Sequence, residues 1–137
     1  MQRRTLLHAA GAAAATLAAP RLLAQEWPNA PVRVIVGFPP GGGTDALARV
    51  LAAKLTMMWN QQVIVETKAG VAGVLAAEYT AQQPSDGATL LMAHINSHGL
   101  APSLQPKLRY NVERDFTPIV LVGVTRAFLI DTHRMHD

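Results

Sequence analysis

A chain of 137 residues is long enough for one domain with its own core and too short for two ordinary ones. Half of the residues are hydrophobic and only 15% are charged, which excludes a disordered chain. The formal charge of +3 belongs to the first 24 residues, where Arg3, Arg4 and Arg21 stand without an acid. The remainder carries nine basic and nine acidic residues, so no nucleic-acid partner is expected.

Residues 1–24 read as an export signal. Arg3 and Arg4 precede an apolar, alanine-rich stretch over residues 6–19, and Leu22, Leu23 and Ala24 offer a cleavage site before Gln25. The stretch has no polar face, so it does not read as a first amphipathic helix, and it is too short and too rich in alanine to span a membrane well. The string QRRTLL also fits a twin-arginine signal. No cysteine is present, so neither a disulfide framework nor a lipidated cysteine is available. The expected product is exported, periplasmic and soluble.

Beyond residue 25, a proline-bounded approach with Trp27 on the sheet edge leads into a first strand over residues 32–38. Its apolar side chains fall on consecutive positions, as in a strand of a parallel sheet covered on both faces. From Thr44 a helix is expected to bury Leu47, Val50, Leu51, Leu55, Met58 and Trp59, with Arg49 and Lys54 off that stripe. Residues 63–66 read as a second strand, residues 68–73 as a second glycine loop and residues 75–83 as a second helix. Pro84, Ser85, Asp86 and Gly87 mark a turn, and residues 89–93 a third strand. Asn96, Ser97, His98 and Gly99 form a polar loop after it, and residues 102–118 are irregular. Residues 119–124 and 128–131 complete the reading as a fourth and a fifth strand.

The stretch around which these elements are organised is VRVIVGFPPGGGTD, residues 32–45. A strand, a proline-stiffened and glycine-rich loop and a helix start follow one another, so unpaired N–H groups and the positive end of a helix dipole face whatever lies above the strand. A carboxylate or phosphate suits such a place. Three consecutive glycines cost backbone entropy, which argues against a mere tight turn. A free carboxylate would repel an anion, so Asp45 is expected to cap the helix or pin the loop. The second glycine loop and the polar loop of residues 96–99 leave the sheet at the same end, where open α/β sheets bind ligands.

WPNAPVRVIVGFPPGGGTDALARVLAAKL, VIVETKAGVAG, PSDGATLLMA, SHGLAPSL and YNVERDFTPIVLV together resemble the Bug family, the periplasmic substrate-binding receptors of tripartite tricarboxylate transporters. The resemblance covers nearly all of the chain after the leader. It implies an α/β periplasmic-binding-protein type II (Venus flytrap) lobe, with a three-layer, mostly parallel sheet. It further implies capture of a small organic acid for membrane transporter subunits, with neither a cofactor nor catalysis. Carried over, the ligand-binding positions are Phe38, Pro39, Gly41, Gly42, Gly43, Thr44 and Asp45, then Gly70, Val71, Ala72 and Gly73, with Ser97 and His98 from the third loop. Where the family usually has asparagine, lysine, proline, glycine, alanine and two glycines, this chain has Thr67, Lys68, Ala69, Gly70, Val71, Ala72 and Gly73, so its second loop is stiffer. Val74 and Ala101 stand where asparagines are common. Family members continue into a second lobe and return to the first. Residues 25–137 therefore read as the N-terminal portion of the first lobe, incomplete and without the second, as in a truncated form whose sheet is left partly uncovered.

The competing reading is a dinucleotide-binding, Rossmann-like oxidoreductase fragment, since Gly41, Gly43 and Ala46 satisfy a loose glycine fingerprint and Glu66 ends the next strand. Phe38, Pro39 and Pro40 intervene where that fingerprint needs the glycine directly after the strand. His94 with His98, and His133 with His136, are spaced for a metal, but one pair crosses a strand end and the other lies in a polar tail, so no metal is expected. Ser97 and His98 are adjacent, which tends to direct their side chains apart and gives no nucleophile–base pair.

Overall fold

The computed structural model describes residues 27–124. The leader, the strand expected over 128–131 and the pair His133 and His136 lie outside the described residues. Three parallel strands, β1 (Val32–Val36), β2 (Val63–Thr67) and β3 (Thr89–Met92), form one sheet in the order β2-β1-β3. Helix α1 (Gly43–Trp59) links β1 to β2, and α2 (Val74–Ala81) links β2 to β3. After β3 a π-helical turn, Asn96–Leu100, runs directly into the short α3, Ala101–Leu104. The sheet with a helical layer on either face is the expected three-layer parallel α/β arrangement.

Alternation along β1 assigns the layers, since successive side chains leave a strand on opposite faces. Val32, Val34 and Val36 pack with Ala48 and Ala52 of α1 and with Val63 of β2. The intervening Arg33 turns to α2, donating to the Tyr79 hydroxyl at 2.9 Å and to Gln83 Oε1 at 2.9 Å, and also to Thr89 Oγ1. Ile35, on that same side, is fully buried, so its truncation to alanine should cost about 2–5 kcal/mol. A second cluster of Val74, Ala77, Ala101 and Tyr110 lies beyond α2, with Leu91, Leu108 and Phe116 against it.

Helix α1 presents a different face from the one read in the sequence. Ala48 and Ala52 meet the sheet, with Leu55 and Trp59 packed beside them, whereas Leu47, Val50 and Met58 are exposed. The small side chains allow close approach of helix to sheet, and the bulkier ones are displaced outward. Trp27 is half exposed, meets Trp59 edge-on at 5.0 Å between ring centres and lies against Gly87 at the entry to the edge strand β3, so it joins the end of α1 to the sheet edge. The 84–87 turn forms as expected, with Gly87 at φ 81° and the Ala88 N–H donating to Asp86 Oδ1.

Two further expectations are corrected. Residues 96–104, read as a loop opening an irregular stretch, are helical, and Pro102 is accommodated because it falls in the first turn of α3, where no N–H is needed. Residues 119–124 do not form a fourth strand. They are exposed and join no ladder among the described residues. Their β-branched composition suits a strand, but a strand exists only where a neighbour takes up its backbone groups.

Candidate functional site

Parallel pairing brings the strand exits together. Val36 of β1 lies opposite Thr67 of β2 and Met92 of β3, and the Lys68 N–H donates to the Val36 carbonyl at 2.8 Å. The loops that begin at Gly37, Lys68 and Ala93 therefore leave side by side. Their closeness is enforced at Gly37, where a Cβ would stand 2.7 Å from Gly73 Cα and 3.1 Å from Ala76 Cβ. Phe38 lies over Gly73 and packs edge-on against His94, with ring centres 4.7 Å apart. Phe38, Gly73 and the third loop thus share one mouth. Gly37, which the sequence reading passed over as part of the strand, is the residue that permits it.

In the first loop, Gly41 has φ 85° and Gly42 is the N-cap of α1, without a side chain to cap the helix. The Gly42 N–H reaches the Pro39 carbonyl at 3.4 Å, and the Ala46 N–H returns to the Gly42 carbonyl at 2.9 Å. Among the described residues, no hydrogen bond takes up the N–H groups of Gly43, Thr44 and Asp45, the orphan donors of a first helical turn. Gly43 has open space where a Cβ would be. These donors and the helix dipole constitute a place for an anion.

Asp45 pins this loop. Its side chain is buried, and Oδ2 accepts both the Gly41 N–H at 2.9 Å and Arg49 Nε at 2.9 Å. The Arg49 guanidinium and the Gly41 N–H hold its carboxyl below the usual carboxylate range. Oδ1 is buried without a partner. The negative charge is thereby directed inward and matched.

The second loop is a strained left-handed turn. Val71, Ala72 and Gly73 have φ of 46°, 54° and 91°, and Gly70 has φ 147°. The Gly73 N–H donates to the Gly70 carbonyl at 2.9 Å, and the Val74 N–H to the Val71 carbonyl. Non-glycine residues are uncommon at positive φ, and a β-branched one is an outlier there. Val71 is 57% exposed.

Ser97 and His98 lie in the π-helical turn after β3, with Ser97 Cβ 3.7 Å from where a Cβ on Gly73 would stand. Ser97 is buried and donates its hydroxyl to the His94 carbonyl at 3.1 Å. Its Oγ lies 2.9 Å from His98 Nδ1. Adjacency has therefore not driven the two side chains apart, because the imidazole folds back over the preceding hydroxyl within the π-helical turn. With the serine proton directed at His94, Nδ1–H is the donor and Nε2 is left bare, buried and unpartnered. The ring packs edge-on against Phe116 at 4.8 Å between ring centres and tilts over Tyr110, whose hydroxyl donates to the Ser97 carbonyl. Burial pushes the His98 pKa down.

Among the described residues no group of three or more histidine, cysteine or carboxylate side chains is placed to hold a metal. Glu66, the acid that a dinucleotide reading would use, lies 3.9 Å from Lys68 and 4.0 Å from Arg33. Gly37 to Pro40 separate β1 from Gly41, which leaves the nucleotide fingerprint without its required spacing.

Residues 47–132 match the tripartite tricarboxylate transporter family receptor. Protein BugT of Bordetella pertussis is 38% identical over 124 residues, covering 90% of this chain and 38% of BugT. A Pseudomonas protein from the tcbD-tcbE intergenic region is 39% identical over 106 residues, covering 76% of this chain and 31% of that protein. Among solved structures, MatC of Rhodopseudomonas palustris with bound malate aligns with a TM-score of 0.66 at 40% identity, over 70% of this chain and 33% of MatC. An R. palustris protein with adipate aligns with a TM-score of 0.66 at 34% identity, over 69% of this chain and 32% of that one. The periplasmic binding protein BugD aligns at 0.64 and 34% identity, over 68% of this chain and 31% of BugD. The chain spans between about 31% and 38% of the length of these two sequence relatives.

Proposed function

The chain belongs to the tripartite tricarboxylate transporter family receptors, which are binding proteins and not enzymes, and from that premise we propose that it captures a small carboxylate. The ligand would pass to membrane subunits of a tripartite tricarboxylate-type transporter, and the chain would act in the periplasm after removal of residues 1–24. Residues 25–137 are the N-terminal portion of the first of two ligand-binding lobes in this reading. Among the described residues no helix is long and apolar enough to cross a membrane.

What carries the reading is the set of untaken N–H groups at Gly43, Thr44 and Asp45, beside a second loop that approaches through Gly37 and Gly73. One ligand carboxylate docks on those donors, and the turn of Gly70, Val71, Ala72 and Gly73 closes over the carbon next to it. Phe38 and Pro39 form the apolar shoulder of the mouth, with Ser97 and His98 in the π-helical turn after β3. Charge-assisted bonds to backbone N–H groups strengthen as water leaves a closing cleft. The nearby cations are already engaged, Arg49 by Asp45 and Lys68 by Glu66 and the Tyr79 ring, so the anion is read by backbone dipoles. That MatC holds malate and another relative holds adipate supports a carboxylate as the guest.

Calorimetry with short dicarboxylates on the receptor as its gene encodes it tests the proposal. Saturable binding, lost when the first turn of α1 is blocked, is expected. Heats no larger than those of dilution across mono-, di- and tricarboxylates would overturn it.

A further inference from the structure

We infer that Val71 is a specificity-determining residue, selecting ligands with an unsubstituted methylene next to the docked carboxylate over those with a hydroxyl there. The inference rests on the carboxylate-binding reading given above. Val71 combines two properties that exposed valines seldom share. It is 57% exposed, and its φ of 46° places a β-branched residue in the left-handed region. Single exposed apolar side chains need no explanation, but one held against its backbone preference does.

The surroundings give the turn no freedom to release Val71. The Gly73 N–H is tied to the Gly70 carbonyl, and the Val74 N–H to the carbonyl of Val71 itself. Gly73 is wedged against Gly37 so closely that a Cβ on Gly37 would stand 2.7 Å from Gly73 Cα. Gly70, at φ 147°, has a backbone conformation that side chains rarely adopt. An isopropyl group is therefore held in the loop after β2, which meets the loop after β1 at Gly37 and Phe38, and that first loop leads to the donors of Gly43, Thr44 and Asp45.

Valine offers neither donor nor acceptor. A hydroxyl brought against it loses water and gains no hydrogen bond, whereas a methylene gains apolar contact. Selection of this kind, by an apolar wall against a hydroxyl, is worth about tenfold or more in affinity.

Matched acids that differ only in hydroxyls test it: succinate against tartrate, and adipate against galactarate, by calorimetry on the receptor as its gene encodes it. The native protein should bind the unsubstituted acid of at least one pair about tenfold more tightly. Val71→Thr, which exchanges a methyl for a hydroxyl at constant shape, should reduce that ratio severalfold with an unchanged melting temperature. If Val71→Thr does not fold, Val71→Ala, which admits water beside the ligand, should reduce the ratio in the same direction. A native preference for the hydroxylated acids overturns the inference, as does a ratio that neither variant moves. If the native receptor binds none of the four acids nor any other carboxylate, the proposed function itself fails and the inference falls with it.

Discussion

Asp45 and Gly41 are joined by a 2.9 Å hydrogen bond from the Gly41 N–H to Asp45 Oδ2, and the same oxygen accepts from Arg49 one helical turn on. This pair ties the glycine loop to the first turn of α1, whose N–H groups at Gly43, Thr44 and Asp45 are free. Asp45→Ala should weaken carboxylate binding without removing any proposed ligand donor, whereas Asp45→Asn, which retains an acceptor for Gly41, should recover most of it. Paired affinity measurements decide the matter, and equal affinities for the alanine and native proteins would show that the loop holds its shape unaided. Because the carboxyl is held below its usual value of 3.8, the stabilisation is present above that pH. It is lost as pH falls through the lower folded-state value.

Gly37→Ala should be destabilising. The added Cβ would stand 2.7 Å from a backbone atom of the second loop, which cannot move without carrying α2 with it. A loss of about 1–3 kcal/mol is expected from such overpacking, read from the urea midpoint. A midpoint equal to that of the native protein would mean that the two glycine loops are not in forced contact.

Ala72→Gly should stabilise. Alanine at φ 54° pays the left-handed penalty, and glycine does not. After the greater entropy of glycine in the unfolded chain is set against this, a net gain of about 0.5–1 kcal/mol is expected in denaturant titration. A loss of stability on this substitution would contradict the left-handed geometry of the turn.

His98 makes the fold sensitive to mild acid. Its folded-state pKa is lowered by burial from the ordinary value of 6.5, so the unfolded chain binds the proton more readily. Stability is then unaffected above pH 6.5 and falls as pH is lowered through that value toward the folded-state pKa. Melting temperatures between pH 7.5 and 5 should decline in the native protein and decline less in His98→Gln. Parallel profiles for the two would assign the acid sensitivity elsewhere.

Much of this arrangement is legible in the residues. Consecutive valines and isoleucine in β1 announce a strand buried on both faces, and Asp86 with Gly87 announces the turn before β3, because both patterns arise from local chemistry. Asp45 as a loop pin follows from the repulsion between a free carboxylate and an anion. What escapes the sequence depends on distance between segments. The face of α1 is chosen by how closely Ala48 and Ala52 let the helix approach the sheet, which periodicity does not encode. Gly37 reads as an ordinary strand-end residue until Gly73 is found against it. Residues 119–124 have the composition of a strand, yet the partner that would make them one is not a property of their own sequence. The fold-back of His98 onto Ser97 comes from a π-helical turn with no sequence signature.

The central claim, that the first turn of α1 holds the ligand carboxylate, is tested most directly by the dissociation constant of the Gly43→Val receptor. Nothing lies within 4 Å of where a Cβ at Gly43 would stand, so the substitution starts from open space at the first turn that carries the free N–H groups. Carboxylate affinity should fall by at least about tenfold while the melting temperature stays within a few degrees of native. Undiminished affinity in a normally folded Gly43→Val protein would place the carboxylate elsewhere.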